Sequence, residues 1–269
     1  TDIGPFGHSG VEKVTFEAGT TSVISYLFAG AQNLVSVELL DTMVSIERSA
    51  FSDCASLQTI SIPDSITGIS SYAFYGCSSL ITFQLPPNLE SMGIQVFQYC
   101  SSLETFTWND VYPGILEGTF NGCSSMKNFY IPNCVNMIGK KAFYGCTSLN
   151  SVTGGENIKH IYDEAFRNCT SLKSITLTNA LADIGTSAFQ GCVALTAIKI
   201  PDSVSSIGAY IFDGCEALKD IKLGTGLTEI PKQAFSNCSA LESITLPYRV
   251  EKIGDNVFLN DVKFNSVTI

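Results

Sequence analysis

Ten cysteines, two histidines and 25 carboxylates are the raw material for chemistry in this 269-residue chain. Nine of the cysteines stand 23 residues apart, at 54, 77, 100, 123, 146, 169, 192, 215 and 238, and Cys134 lies outside that column. Redox or metal chemistry asks for a different spacing. No C-x-x-C occurs, and His8 and His160 stand alone in the sequence, so no zinc or other metal site is expected. Cysteines stacked in one column keep their Cβ atoms near 5 Å, beyond the roughly 3.5–4.5 Å of a disulfide. A ladder of buried free thiols is therefore expected, with Cys134 a separate free thiol. Two histidines leave Ser/His/Asp and Cys/His arrangements almost without material. There is no G-x-S-x-G and no phosphate loop, and Gly224-Thr225-Gly226 lacks the third glycine of a dinucleotide loop. The carboxylates are scattered, so no catalytic residue and no cofactor are expected, and the chain reads as a non-enzyme.

The elements that carry these residues follow from the same period. Phe recurs at 28, 51, 74, 97, 120, 143, 166, 189, 212, 235 and 258, ten steps of 23 without a slip. Three residues after each cysteine comes a large apolar residue such as Leu57, Leu80, Leu149 or Leu241. Alternating apolar pairs follow (Ile60 and Ile62, Phe83 and Leu85, Ile198 and Ile200, Ile244 and Leu246), which period two places on one side of a short strand. Pro then stands in five repeats, at 63, 86, 132, 201 and 247, where it removes a backbone donor and ends the strand. A nearly constant Ile follows, then a small residue, the Phe and the Cys. The stretch from Ile to Cys has room for one or two helical turns. The Gly, Asn or Asp before the Cys suits a left-handed backbone position.

A 23-residue unit with this leucine spacing is the pattern of a leucine-rich repeat solenoid. The expected fold class is an α/β solenoid of about 11 coils. Short parallel strands are expected on the concave face and short helical turns on the convex face. Residues 1–269 read as one such domain, with 11–269 in regular repeats and 1–10 a cap or a divergent repeat, the whole being a fragment of a longer chain. Two repeats depart from the pattern at constant length: Trp108 to Pro113, and Gly154-Gly155 where a core Leu belongs. Trp108 is expected to fill the core, reaching toward the space left by Gly154.

Composition is consistent with this. Charged residues are 15% and hydrophobic residues 45%, because many positions of each unit face inward. The net charge of -10 argues against binding a phosphate backbone. Residues 1–134 hold 3 basic and 12 acidic residues, a net of -9, whereas 135–269 hold 12 and 13. No apolar run reaches the length of a membrane span, so no membrane insertion is expected. Asn168-Cys169-Thr170 and Asn237-Cys238-Ser239 match the N-glycosylation pattern, although the repeat itself places Asn there.

The pattern L-x-x-I-x-L-P-x-x-V-x-x-I-G-x-x-A-F-x-x-C resembles the treponemal-type repeats of the BspA-like surface protein family, over about residues 11–269. The resemblance implies a cell-surface or secreted location and adhesion to host proteins, extracellular matrix or other cells. The columns that match are structural, so the ligand must be read from the variable positions. In each strand two outward positions flank the first apolar residue, and both are rich in Ser and Thr, a surface for a protein or a glycan. Lys173, Lys199, Lys219 and Lys222 gather on or beside these strands as a docking patch for an acidic partner. Tyr112 and Tyr130 add an aromatic spot near the strand ends. The leading expectation is a binding module for protein–protein contact in adhesion or attachment. The alternative is a structural subunit that self-associates through the solenoid ends into a filament or surface layer.

Overall fold

In the computed structural model, which describes residues 3–269, each 23-residue period closes into one coil of a β-solenoid of about eleven turns. Residues 1 and 2 of the segment 1–10 lie outside the described residues. A first strand recurs in every coil, as in Ser36–Glu38, Thr59–Ser61 and Ala197–Lys199. Where neighbouring strands pair, they do so in parallel, and the register is one period. Ser36 faces Thr59, Val37 faces Ile60 and Glu38 faces Ser61. The central residue points inward and its two neighbours outward, as period two requires.

A second strand in each coil was not expected from the sequence. It has two residues, as in Ser45–Ile46 and Asp183–Ile184, and holds the nearly constant Ile column. These short strands also pair in parallel one period apart, as in Ile46 with Ile69. From the repeat alone this Ile starts a stretch with room for one or two helical turns. Two residues show little alternation, which hid the strand.

The helical turns expected on the convex face are absent; no α-helix occurs among the described residues. Backbone geometry gives the reason. Two columns adopt left-handed backbone, one on either side of the Phe. The column before the Cys does so at all its positions, including Gly30 (φ 78°), Asp53 (φ 57°), Tyr99 (φ 62°) and Asn168 (φ 61°). A second column, two residues before the Phe, does the same with bulky residues: Tyr26 (φ 60°), Tyr72 (φ 62°), Lys141 (φ 54°) and Glu164 (φ 56°). A left-handed residue costs about 1–2 kcal/mol outside glycine, and two of them four residues apart leave no room for a helical turn.

What offsets that cost is the hydrogen-bond pattern this backbone permits. Around Phe51, alternate N–H groups turn outward to the next coil: Ser49 to the Ser71 carbonyl (3.1 Å), Phe51 to Ala73 (2.9 Å), Asp53 to Tyr75 (2.6 Å). The N–H groups between them close tight turns within the coil, Ala50 to Glu47 (3.2 Å) and Cys54 to Phe51 (3.3 Å). A helix would spend every N–H inside its own coil. The turn wall instead ties each coil to the next, as the strands do.

Inside, the Phe column is one continuous stack. Ring centroids from Phe28 to Phe258 lie between 5.2 and 5.9 Å apart, with planes within 24°. This offset stacking contributes about 0.5–1.5 kcal/mol per pair beyond burial. Phe6 extends the stack onto Phe28 at 5.4 Å. Phe83, Phe106 and Phe129, from the first strands, meet the stack edge-on; Phe83 lies 4.5 Å from Phe97.

All ten cysteines are free. The nine in the column are buried, and each thiol donates to the carbonyl of the Phe one coil back, as Cys77 to Phe51 (3.1 Å) and Cys169 to Phe143 (3.0 Å). The ladder is thus more than hydrophobic filling, because each S–H ties two coils together. Burial pushes the Cys54 and Cys192 thiols up to about 12 and raises Cys77, Cys123 and Cys215 well above the usual thiol range. Asp261 takes the column position in the last coil. It accepts from the Cys238 N–H (2.7 Å), and burial lifts its carboxyl to about 6.

Two outcomes follow. Phe143→Ala, in mid-array, should lower stability by about 3–5 kcal/mol in a denaturant titration, because a buried ring leaves a cavity; a loss under ~1 kcal/mol would remove the stack from the core. In the native protein a thiol reagent should modify Cys134 alone, which is only half-buried, and all ten thiols once the chain is unfolded.

Candidate functional site

The first strands together present a broad outward face. Its outward positions, including Thr59 and Ser61, Thr82 and Gln84, Thr105 and Thr107, and Ser243 and Thr245, are exposed in nearly every coil. Regular strand alternation holds them there while Val37, Phe83, Phe129, Ile198 and Ile244 fill the inside. In the C-terminal half this face carries a shallow depression lined by Ala197, Lys199, Lys219, Asp220, Lys222 and Ser243.

Three of the four lysines singled out in the sequence therefore meet. Lys199 and Lys222 occupy directly paired strand positions. Lys219 stands just before the second of these strands, on the rim of the same depression. Lys173 is exposed one strand earlier, before Ser174–Ile175, and does not line it. Among the described residues, none of the four has an acidic side chain within 4.0 Å. Like charges on facing strand positions work against a sheet. Their field is nevertheless felt: the Asp202 carboxyl is held below its ordinary range, first by the Thr225 N–H (2.9 Å) and hydroxyl (3.1 Å), then by the charges of Lys199 and Lys222.

The two tyrosines have separate places. Tyr130 is 63% exposed on strand Asn128–Ile131. Tyr112 is half-buried and packs on Trp108, with its hydroxyl donating to the Met92 carbonyl (3.2 Å). Trp108 fills the core against Phe106, Phe120 and Phe129, and its indole N–H donates to the Tyr112 carbonyl (3.1 Å). It does not take the space at Gly154. A side chain at that position (φ 79°) would run into the Ile131 carbonyl and the Tyr130 ring, so only glycine fits there.

His160 is not alone in space: its Nδ1 lies 2.7 Å from an Asp183 carboxylate oxygen, across paired short strands. Of the two glycosylation-pattern asparagines, Asn237 donates to Asp213 (2.6 Å) and Asn168 to the Tyr144 hydroxyl (3.4 Å). Among the described residues no three His, Cys, Asp or Glu side chains converge as a metal site, and no helix is long and apolar enough to cross a membrane.

Comparison with known families decides the classification. The BspA type Leucine rich repeat region matches in six copies over residues 4–123, 113–192 and 159–269. The chain belongs to the BspA-type leucine-rich repeat family. Among solved structures it is similar to a leucine-rich repeat protein of Bacteroides ovatus, with a TM-score of 0.85 and 24% identity over 98% of this chain and 74% of that one. The T. pallidum Leucine Rich Repeat protein gives a TM-score of 0.57 and 27% identity over 69% of this chain and 78% of that one. No curated protein matches the sequence significantly. BspA-type repeats are interaction modules of the leucine-rich repeat class, and no enzymatic family is indicated.

The turn wall was missed as a site. Reading it as helix gave no register for its outward side chains, although Tyr26, Tyr72 and Tyr210 already share a 23-residue column.

Proposed function

We propose that this BspA-type array is a non-enzymatic binding module that docks an extended, acidic segment of a partner protein along its first-strand face. The observation that carries this reading is the meeting of Lys199, Lys219 and Lys222 around one depression, none of them in an ion pair within 4.0 Å among the described residues. Sheet stability alone opposes pairing Lys199 with Lys222, so a ligand's charge is the natural counterpart. The Ser- and Thr-rich positions on either side supply hydrogen bonds to a strand-like chain laid over several coils. Lys173 and Tyr130 lie toward the middle of the array on the same face and extend the surface. Cell-surface or secreted location, and a role in adhesion to host or neighbouring cells, are the setting that membership of this family supports.

A synthetic Asp- and Glu-rich peptide is a suitable probe. Its affinity should fall as salt rises, because exposed charges are screened within about 10 Å at 0.1 M. Replacing Lys173, Lys199, Lys219 and Lys222 by Ser should weaken binding by about ten-fold at low salt and flatten the salt dependence. Unchanged affinity would dismiss the patch.

A further inference from the structure

On the turn wall of the first coils lies a cleft of about 360 Å³, within the size range of small-ligand sites. It is lined by Tyr26, Tyr72 and Tyr75, by Arg48 and Asp53, and by Ser49, Ser52, Gln95 and Gln98. The residues come from four successive coils, and most occupy the left-handed column before the Phe or the position just after it. The guanidinium of Arg48 sits 5.0 Å over the Tyr72 ring, and its Nε donates to the Tyr26 hydroxyl (3.1 Å). Tyr75 stands edge-on to Tyr72 at 6.0 Å and to Tyr99 at 5.4 Å.

Two acceptors of this cleft have no donor among the described residues. Gln98 is 6% exposed, and its side-chain oxygen has no hydrogen-bond donor. The Asp53 carboxylate, pushed up by burial, accepts no hydrogen bond among the described residues. An unpartnered buried acceptor costs about 1–3 kcal/mol. Further along the array the carboxylates of the same columns find partners. Glu164 pairs with Lys141 (3.6 Å) and Arg167 (3.1 Å) beside Tyr144, and Asp213 accepts from Gln190 (2.7 Å) and Ser236 (2.7 Å). In the first coils the matching positions are left open.

From this we infer that the cleft binds a neutral hexose unit of a glycan. Ring faces of Tyr suit the apolar C–H face of a pyranose. Sugar hydroxyls donate to Asp53 and, once the Gln98 amide rotates toward the cleft, to its oxygen, and accept from Arg48, which no simple ion does. Among the lining residues one guanidinium and one carboxylate balance, so an anion meets Asp53 and a cation meets Arg48. This site lies on a different wall from the lysine patch and does not depend on it.

The test uses methyl glycosides of glucose, galactose, mannose and N-acetylglucosamine, with saturation-transfer NMR and calorimetry on the whole chain. At least one glycoside should bind. Tyr72→Ala and Gln98→Met should each weaken it about ten-fold, the loss of roughly one good contact. Tyr72 is only half-buried, so its variant reports even if Gln98→Met does not fold. Tyr248→Ala, 82% exposed and far along the chain, should leave binding unchanged, as should the four-lysine variant. The inference is overturned if none of the four glycosides binds, if binding survives Tyr72→Ala, or if choline or inorganic phosphate competes for the cleft.

Discussion

The fixed distance between coils governs everything else in this molecule. Parallel strands set it at about 4.8 Å, and the Phe stack accepts it by offsetting its rings to 5.2–5.9 Å. Once that spacing is set, a side chain is placed by its column and its coil number alone. Every column must therefore keep the same 23-residue phase. A slip of one residue would carry strand residues to the other face and break the stack, the thiol bonds and the strand pairs together. Stability is close to a sum over coils and interfaces, so each coil depends chiefly on its two neighbours.

The sequence made the inward half of each coil legible, because burial leaves little choice there. Phe, Cys, Leu and Ile repeat with so little variation that period, parallel stacking and free thiols could be read directly. The turn wall was misread because its structure depends on backbone geometry, not on residue type. Glycine, Asn and Asp before the Cys signalled one left-handed column. Tyr26, Lys141 and Glu164 in the other carry no such signal; their own N–H groups, donated to the next coil, hold them there. The two-residue strands were hidden for a related reason, since a ladder one coil apart leaves almost no trace in local alternation. Trp108 was placed correctly in the core, but its partners are Phe106, Phe120 and Phe129, and Gly154 is met by Tyr130.

The outward half was less legible, because surface residues follow no period and gain meaning only when coils are stacked. Lys199, Lys219 and Lys222 lie up to 23 residues apart in sequence and meet on the folded face, whereas Lys173 does not join them. The cleft of Tyr26, Arg48, Asp53, Tyr72 and Gln98 spans four coils and has no linear motif. A rigid array of this kind can offer different chemistry on different walls, each patch varying without disturbing the inward columns. The charge imbalance supports such a division: the net negative charge lies in the first half, the unpaired lysines in the second.

The most direct test of the register constraint is a pair of internal deletions. Removing residues 136–158, one full period, brings the coil of Phe120 onto that of Phe166 in phase. This variant should fold cooperatively, with a denaturant m-value lower by about one-eleventh, in proportion to the surface lost. Removing residues 136–157 instead, one residue short of a period, should leave the two halves out of register and markedly less stable. Equal stability of the two variants, or collapse of both, would contradict an array whose parts are tied by a 23-residue register.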